Sequence, residues 1–212
     1  MTCRAKRIKV LANFEIPLEF LMNTFVLSLL IFVFGTYANI SCKIIEAPHF
    51  KDLLNFVTDN TLVILDVDDT LLLPCQTLGN DTWFCYRKKN YEEQGMTPND
   101  ALEKTIAEWE AIRHLTKVRI VEPGTDAIIE ELQKRNIIVM GLTNQGLALA
   151  TRTIEQLQSI HIDLTKTAPS KEDSYFINEH GVLFRKGLLF TSGTKKGAAL
   201  LKLFDCIKYL PE

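Results

Sequence analysis

Unbroken apolar runs alternate along the chain with stretches whose apolar residues recur every three or four positions, and these two rhythms predict strands and helices in turn. Phe50, Leu53, Leu54 and Val57 stand at helical spacing and predict a lead-in helix. Leu62, Val63, Ile64 and Leu65 follow as a continuous apolar run ending at Asp66, as expected of a strand buried on both faces. After Thr97 as N-cap and Pro98 in the first turn, a helix is predicted with Leu102, Ile106, Trp109 and Ile112 along one side. Pro123 and Gly124 turn the chain into a helix carrying Ile128, Ile129 and Leu132, and Ile137 to Leu142 form a second buried strand that ends at Thr143 and Asn144. Gly146 opens a helix with Ile154, Leu157 and Ile160. A hairpin around Asn178 to Gly181 then leads to a strand over Leu188 to Thr191 and a final helix from Gly197. Strand and helix alternating in this way predict an α/β fold, a mainly parallel, doubly wound sheet with right-handed crossovers. Ligands of such sheets bind outside the carboxyl ends of the strands, where Asp66 and Thr143 both fall.

Composition narrows this picture. With 47% apolar and 24% charged residues in 212, the chain suits one globular domain with an appendage. The net charge of -2 is spread over mixed signs without a Lys/Arg stripe, which excludes nucleic acid as the main partner. From Cys75 to Met96 the chain is polar and aromatic, with Trp83, Phe84, Tyr86, Tyr91 and the basic trio Arg87, Lys88 and Lys89. Together with the helix after Thr97 it makes an insertion over about 75–121, too long for a bare loop, and is expected to form a small helical cap. Trp83 and Trp109 are expected to pack inside that cap, and the basic trio to form a solvated turn.

The appendage is residues 1–38. Arg4, Lys6, Arg7 and Lys9 precede an apolar run from Phe20 to Phe34, with Thr36 and Ala38 small enough for an export cleavage site. The run is shorter than the roughly 20 residues of a membrane span, so a cleaved signal peptide is expected ahead of an uncleaved membrane anchor, with a buried core helix as the third reading. Glu15 and Glu19 interrupt the basic region, which makes Met22 an alternative start. Asn39 to Cys42 matches a lipid-attachment box only loosely, so simple cleavage is expected over lipidation. With a signal peptide or an anchor, the domain from residue 45 onward is expected to be exported, to the periplasm or beyond. An oxidising compartment would permit a bridge between Cys75 and Cys85.

The chemistry concentrates at Asp66, Asp68 and Asp69. Carboxylates crowded at one strand end are costly unless a cation or a proton relieves them, so this stretch calls for a metal or a catalytic task. A calcium loop is not the expected reading, because Thr70 and Leu71 stand where such a loop needs Asp or Asn and Gly. His161 and His180 have no ligand spacing between them, and no zinc site is expected.

The sequence LVILDVDDT, an aliphatic strand followed by Asp-x-Asp-x-Thr, resembles the first signature of the haloacid dehalogenase (HAD) superfamily, and VMGLTN resembles its second. Thr151 to Leu164 is most similar to the acid-phosphatase-like subfamily and to an uncharacterised bacterial branch near it. The resemblance implies a Rossmann-like three-layer sandwich over residues 45–212 with the insertion as cap. It also implies a phosphohydrolase working through an aspartyl-phosphate: Asp66 as nucleophile and Asp68 as general acid and base. A magnesium ion would take the Asp66 carboxylate and the Asp68 backbone carbonyl. Thr143 and Asn144 would hold the phosphoryl oxygens, and Lys196, with Lys195 as alternate, would complete the charge clamp. The expected substrate is a small phosphomonoester, and membrane contact is confined to the N-terminal segment. The superfamily's final strand and acid pair have no counterpart before Leu210, Pro211 and Glu212, so the resemblance implies a C-terminally truncated domain. That departure keeps a second class open: a non-catalytic binding or interaction protein, or an inactive fragment of a phosphatase.

Overall fold

The computed structural model describes residues 43–209. The export segment, the alternative start at Met22, the cleavage site at Thr36 to Ala38 and Cys42 lie outside the described residues. Within them the chain builds an α/β domain on a mixed five-stranded sheet in the order β1 (Leu62–Leu65), β4 (Ile138–Thr143), β7 (Leu188–Phe190), β6 (Gly181–Arg185) and β5 (Ser174–Ile177). β1 pairs parallel with β4 and β4 with β7, whereas β6 runs antiparallel to both its neighbours. The antiparallel part has a local cause. Lys186 and Gly187 both adopt left-handed backbone, at φ 50° and 78°, which is the two-residue turn that matches the twist of a tight hairpin.

Each sheet face has its own core. Val63, Leu65, Val139, Leu188 and Phe190 point to one side, where they pack on the 3-10 helix Phe50–Phe56 and on helices α3 (Thr125–Lys134) and α4 (Ala150–Ser159). Met140, Leu142, Val182, Phe184 and Leu189 point to the other, under helix α5 (Lys196–Ile207) through Ala199, Leu200, Leu203 and Phe204. The alternation follows from the two-residue period of a strand. Fully burying one of these side chains stabilises by about 1.5–3 kcal/mol, so both layers contribute to holding the sheet.

Between β2 (Leu72–Pro74) and β3 (Val118–Ile120), which form a two-stranded antiparallel ribbon, the chain departs into two helices, α1 (Asp81–Glu93) and α2 (Pro98–Leu115). The sequence rhythm predicts α2 but neither α1 nor β3. Apolar residues in α1 do not recur at helical spacing. The helix is instead capped by Asn80, whose Oδ1 accepts the Trp83 N–H at 2.8 Å, and laced by Lys88–Glu92 and Lys89–Glu93 ion pairs one turn apart. In α2 the buried positions are Ala101, Thr105 and Arg113, while Ile106 stays 39% exposed. Of the apolar side expected to be packed, Ile106 and Trp109 front a cavity instead. Cys75 and Cys85 are both exposed free thiols rather than a bridge. Among the described residues no helix is long and apolar enough to cross a membrane.

Candidate functional site

β1 ends one residue before Asp66 and β4 ends at Thr143, and parallel pairing in the register Leu65 to Gly141 places both residues at one end of the sheet. Beyond β1 the chain folds back sharply. The Val67 carbonyl accepts N–H groups from Thr70, Leu71 and Leu72, and Asp69 takes left-handed backbone at φ 58° with its N–H on the Leu72 carbonyl. Asp is among the few residues that adopt this conformation readily. The turn holds Asp66 and Asp68 above the sheet end.

Asp66 is reached by Lys196, the first residue of α5, whose Nζ lies 2.6 Å from Asp66 Oδ1 across 130 residues of chain. The Val67 N–H falls on the same oxygen at 2.9 Å. Both contacts thus use Oδ1 and leave Oδ2 without a hydrogen bond among the described residues, on a side chain that is 51% exposed. Lys195 caps the same helix as an exposed residue, so Lys196 is the lysine that meets the nucleophile candidate.

Asp68 is held differently. Arg113 from α2 donates from Nη2 to Asp68 Oδ1 at 2.9 Å, and Gln145 donates from Nε2 to Oδ2 at 2.8 Å. The Thr143 hydroxyl approaches Oδ2 at 3.5 Å and accepts the Gln145 N–H at 3.1 Å. One side of Asp68 opens onto the cavity, yet the surrounding protein keeps bulk water away, and this burial pushes its pKa up against the opposing pull of Arg113 and Gln145. Asn144 is exposed beside it, its Oδ1 accepting from the Thr191 hydroxyl at 2.9 Å. The backbone ties these loops together: Thr191 N–H bonds the Thr143 carbonyl and Ser192 N–H the Gln145 carbonyl.

Arg113 and Gln145 are the site residues that the motifs miss. A signal for Arg113 exists, since Ile106, Trp109 and Arg113 continue one side of α2 at helical spacing. Gln145 simply follows Thr143 and Asn144. The cavity over these groups measures about 440 Å³ and is walled by Asp66, Asp68, Thr143, Asn144 and Lys196 on the sheet side and by Phe84, Ile106 and Trp109 on the helical side. Phe84 and Trp109 meet edge to face at 6.4 Å, and the Trp109 indole donates to the Gly79 carbonyl at 2.9 Å. A larger cavity of about 540 Å³ runs along the outer edge of β1, between Phe50, Leu53 and Leu200, and shares Asp66 and Lys196 with the first.

For a cation, the donors are sparse. Among the described residues no group of three His, Cys, Asp or Glu side chains is arranged to hold a metal. The Asp68 carboxylate is already engaged by Arg113 and Gln145 and Asp66 Oδ1 by Lys196 and the Val67 N–H, which leaves Asp66 Oδ2 and the Asp68 backbone carbonyl. So small a set of hard oxygen donors would suit only a cation that keeps several waters, as magnesium does.

Comparison with known proteins gives an identity at the level of family. A protein of Chlamydia muridarum named "Putative outer membrane protein" is 30% identical over 156 residues, covering 73% of this chain and 58% of its own length. Two further proteins of the same name, from Chlamydia pneumoniae and Chlamydia trachomatis, are each 26% identical, covering 81% and 72% of this chain and 65% and 57% of their own. The chain therefore spans about three fifths of the length of the curated relatives it matches. No solved structure matches it. These findings overturn the resemblance to the HAD superfamily and its acid-phosphatase-like subfamily, and the truncation inferred from that resemblance goes with it. The physical reason is that short polar residues gather at the carboxyl end of parallel strands in many α/β folds, so two brief motifs do not distinguish one family from another. With the match extending over residues 46–212, the chain belongs to the family described as "Protein of unknown function (DUF2608)".

Proposed function

We propose that the domain is a phosphomonoesterase acting on a small phosphorylated molecule, with Asp66 as nucleophile. The observation that carries this reading is the convergence of Lys196 on Asp66 at 2.6 Å, beside Thr143 and Asp68, from segments far apart in the chain. Asp66 Oδ2 attacks phosphorus and forms an aspartyl-phosphate while the bond to the leaving oxygen breaks. Asp68, whose Oδ1 is taken by Arg113, gives that oxygen a proton from Oδ2. Water then attacks phosphorus and passes a proton back to Asp68, releasing phosphate and restoring Asp66. The Lys196 ammonium, the Thr143 hydroxyl and the Asn144 amide hold the phosphoryl oxygens. The Asp66 carboxylate and the Asp68 backbone carbonyl would hold a magnesium ion, which would supply further neutralisation of charge. The basic and apolar N-terminal pattern, with relatives named for the outer membrane, supports export to the cell envelope or beyond.

A second reading, a binding protein for a phosphorylated ligand, is favoured by one observation: both Asp68 oxygens accept hydrogen bonds, as in a fixed carboxylate. Hydrolysis of 4-nitrophenyl phosphate with magnesium separates the two. The phosphatase reading expects turnover by the wild-type chain and none by Asp66→Asn. Equal activity in both removes Asp66 from its role, and phosphate binding without turnover selects the binding protein.

A further inference from the structure

The inserted helices do more than roof the cavity, because one of them supplies a charge to its floor. Arg113 is only 2% exposed although it belongs to the insertion, and its guanidinium reaches Asp68, 45 residues away in the chain. Its Nε is buried without a hydrogen-bond partner. A buried arginine with an unsatisfied N–H is a poor stabilising device, since well-packed apolar side chains commonly serve as well or better in such places. The surroundings nonetheless fix it. The Trp109 ring lies 5.1 Å from the guanidinium carbon, and Gln156 Nε2 of α4 donates to the carbonyls of Arg113 and Thr116 at 3.1 and 2.9 Å. Across the carboxyl, Gln145 is locked in turn, its Oε1 accepting the Thr153 hydroxyl so that Nε2 must face Asp68. Asp68 is thereby clamped at each oxygen by a donor that cannot turn away.

We propose that Arg113 is a positioning residue: from α2 it holds the Asp68 carboxyl in the orientation from which the proton passes to the leaving oxygen. This rests on the phosphomonoesterase reading above. The ion pair also makes the anion left behind tolerable once the proton has gone, so the P–O bond to a poor leaving group can break. The helical insertion is then part of the catalytic apparatus, and its detachment from the core would remove proton donation before it removed phosphate binding.

The leaving group provides the test. An alkyl phosphate such as glycerol phosphate departs as an alkoxide and needs the proton, whereas 4-nitrophenyl phosphate departs as a stable phenolate and hardly does. Arg113→Met is expected to lower kcat on the alkyl phosphate about 100-fold, the scale of general-acid catalysis, and on the nitrophenyl ester less than about 10-fold. KM should change little, and Arg113→Lys should recover most of the alkyl activity. If Arg113→Met does not fold, Gln145→Met releases the other oxygen and is expected to show the same selectivity. Equal loss on both esters, or a rise in KM with kcat retained, overturns the positioning role while leaving the phosphatase intact. A wild-type chain inert on both esters overturns the phosphatase reading itself.

Discussion

Helix α2 carries two arginine–carboxylate pairs five residues apart, and they behave in opposite ways. Near its middle, Glu108 receives Arg87 Nε at 2.7 Å and the Tyr91 hydroxyl, inside the insertion and partly in contact with water. These donors, Arg87 first, hold the Glu108 pKa down to about 2. Near the end of the helix, Arg113 meets Asp68 in a water-poor setting, and there burial raises the carboxyl pKa despite the arginine. One pair makes its charge easier to keep, the other harder. Charge pairing near the surface can therefore be read as modest stabilisation. Pairing that costs desolvation calls for a different explanation, which the proposed proton transfer at Asp68 would supply.

The contrast can be broken most sharply at Arg113. Arg113→Ala leaves Asp68 facing the interior without its partner and is expected to destabilise by about 3 kcal/mol, the lower end for a broken buried pair because Asp68 borders the cavity. Denaturant midpoints would show it. The deficit should shrink on acidification, since a carboxyl whose folded pKa is raised takes up its proton preferentially in the folded state. Replacing both partners, Asp68→Leu with Arg113→Met, should restore stability to within about 1–2 kcal/mol of wild type while hydrolysis is lost; a double variant as weak as Arg113→Ala would contradict the comparison. Glu108→Gln is the smallest change. At neutral pH it should cost about 0.2–1 kcal/mol. The folded pKa of Glu108 is depressed, so its contribution is complete above the ordinary carboxylate range and fades as pH falls from about 4.5 towards 2. Thermal melts of wild type and Glu108→Gln should converge across that interval.

The same contrast explains what the sequence discloses. β1 and β4 are legible because each is an apolar run covered on both faces, and their ends present Asp66 and Thr143 without further information. Asn144 and Lys196 join them because the loops beyond the strands interlock at the same sheet end. α1 is hidden because its stability comes from a cap and from ion pairs rather than from an apolar stripe. β3 is three residues long and acquires its character only by pairing with β2. Arg113 and Gln145 enter the site through Asp68, 45 and 77 residues away, and the helical spacing of Arg113 marks its side of α2 without naming that partner. The family signature misleads for the opposite reason, being local and short enough to recur at the strand ends of unrelated α/β folds.

Because Lys196 opens α5, the last helix described, and Asp66 directly follows the first strand, the contact between them depends on nearly the whole domain being present. A polypeptide still being synthesised or threaded carries Asp66 and Asp68 early, but with neither the lysine nor the arginine in place. Such a chain exposes carboxylates without a cradle and is chemically silent. On the phosphomonoesterase proposal, docking of α5 would act as a completion signal, with hydrolysis expected only once Lys196 reaches Asp66.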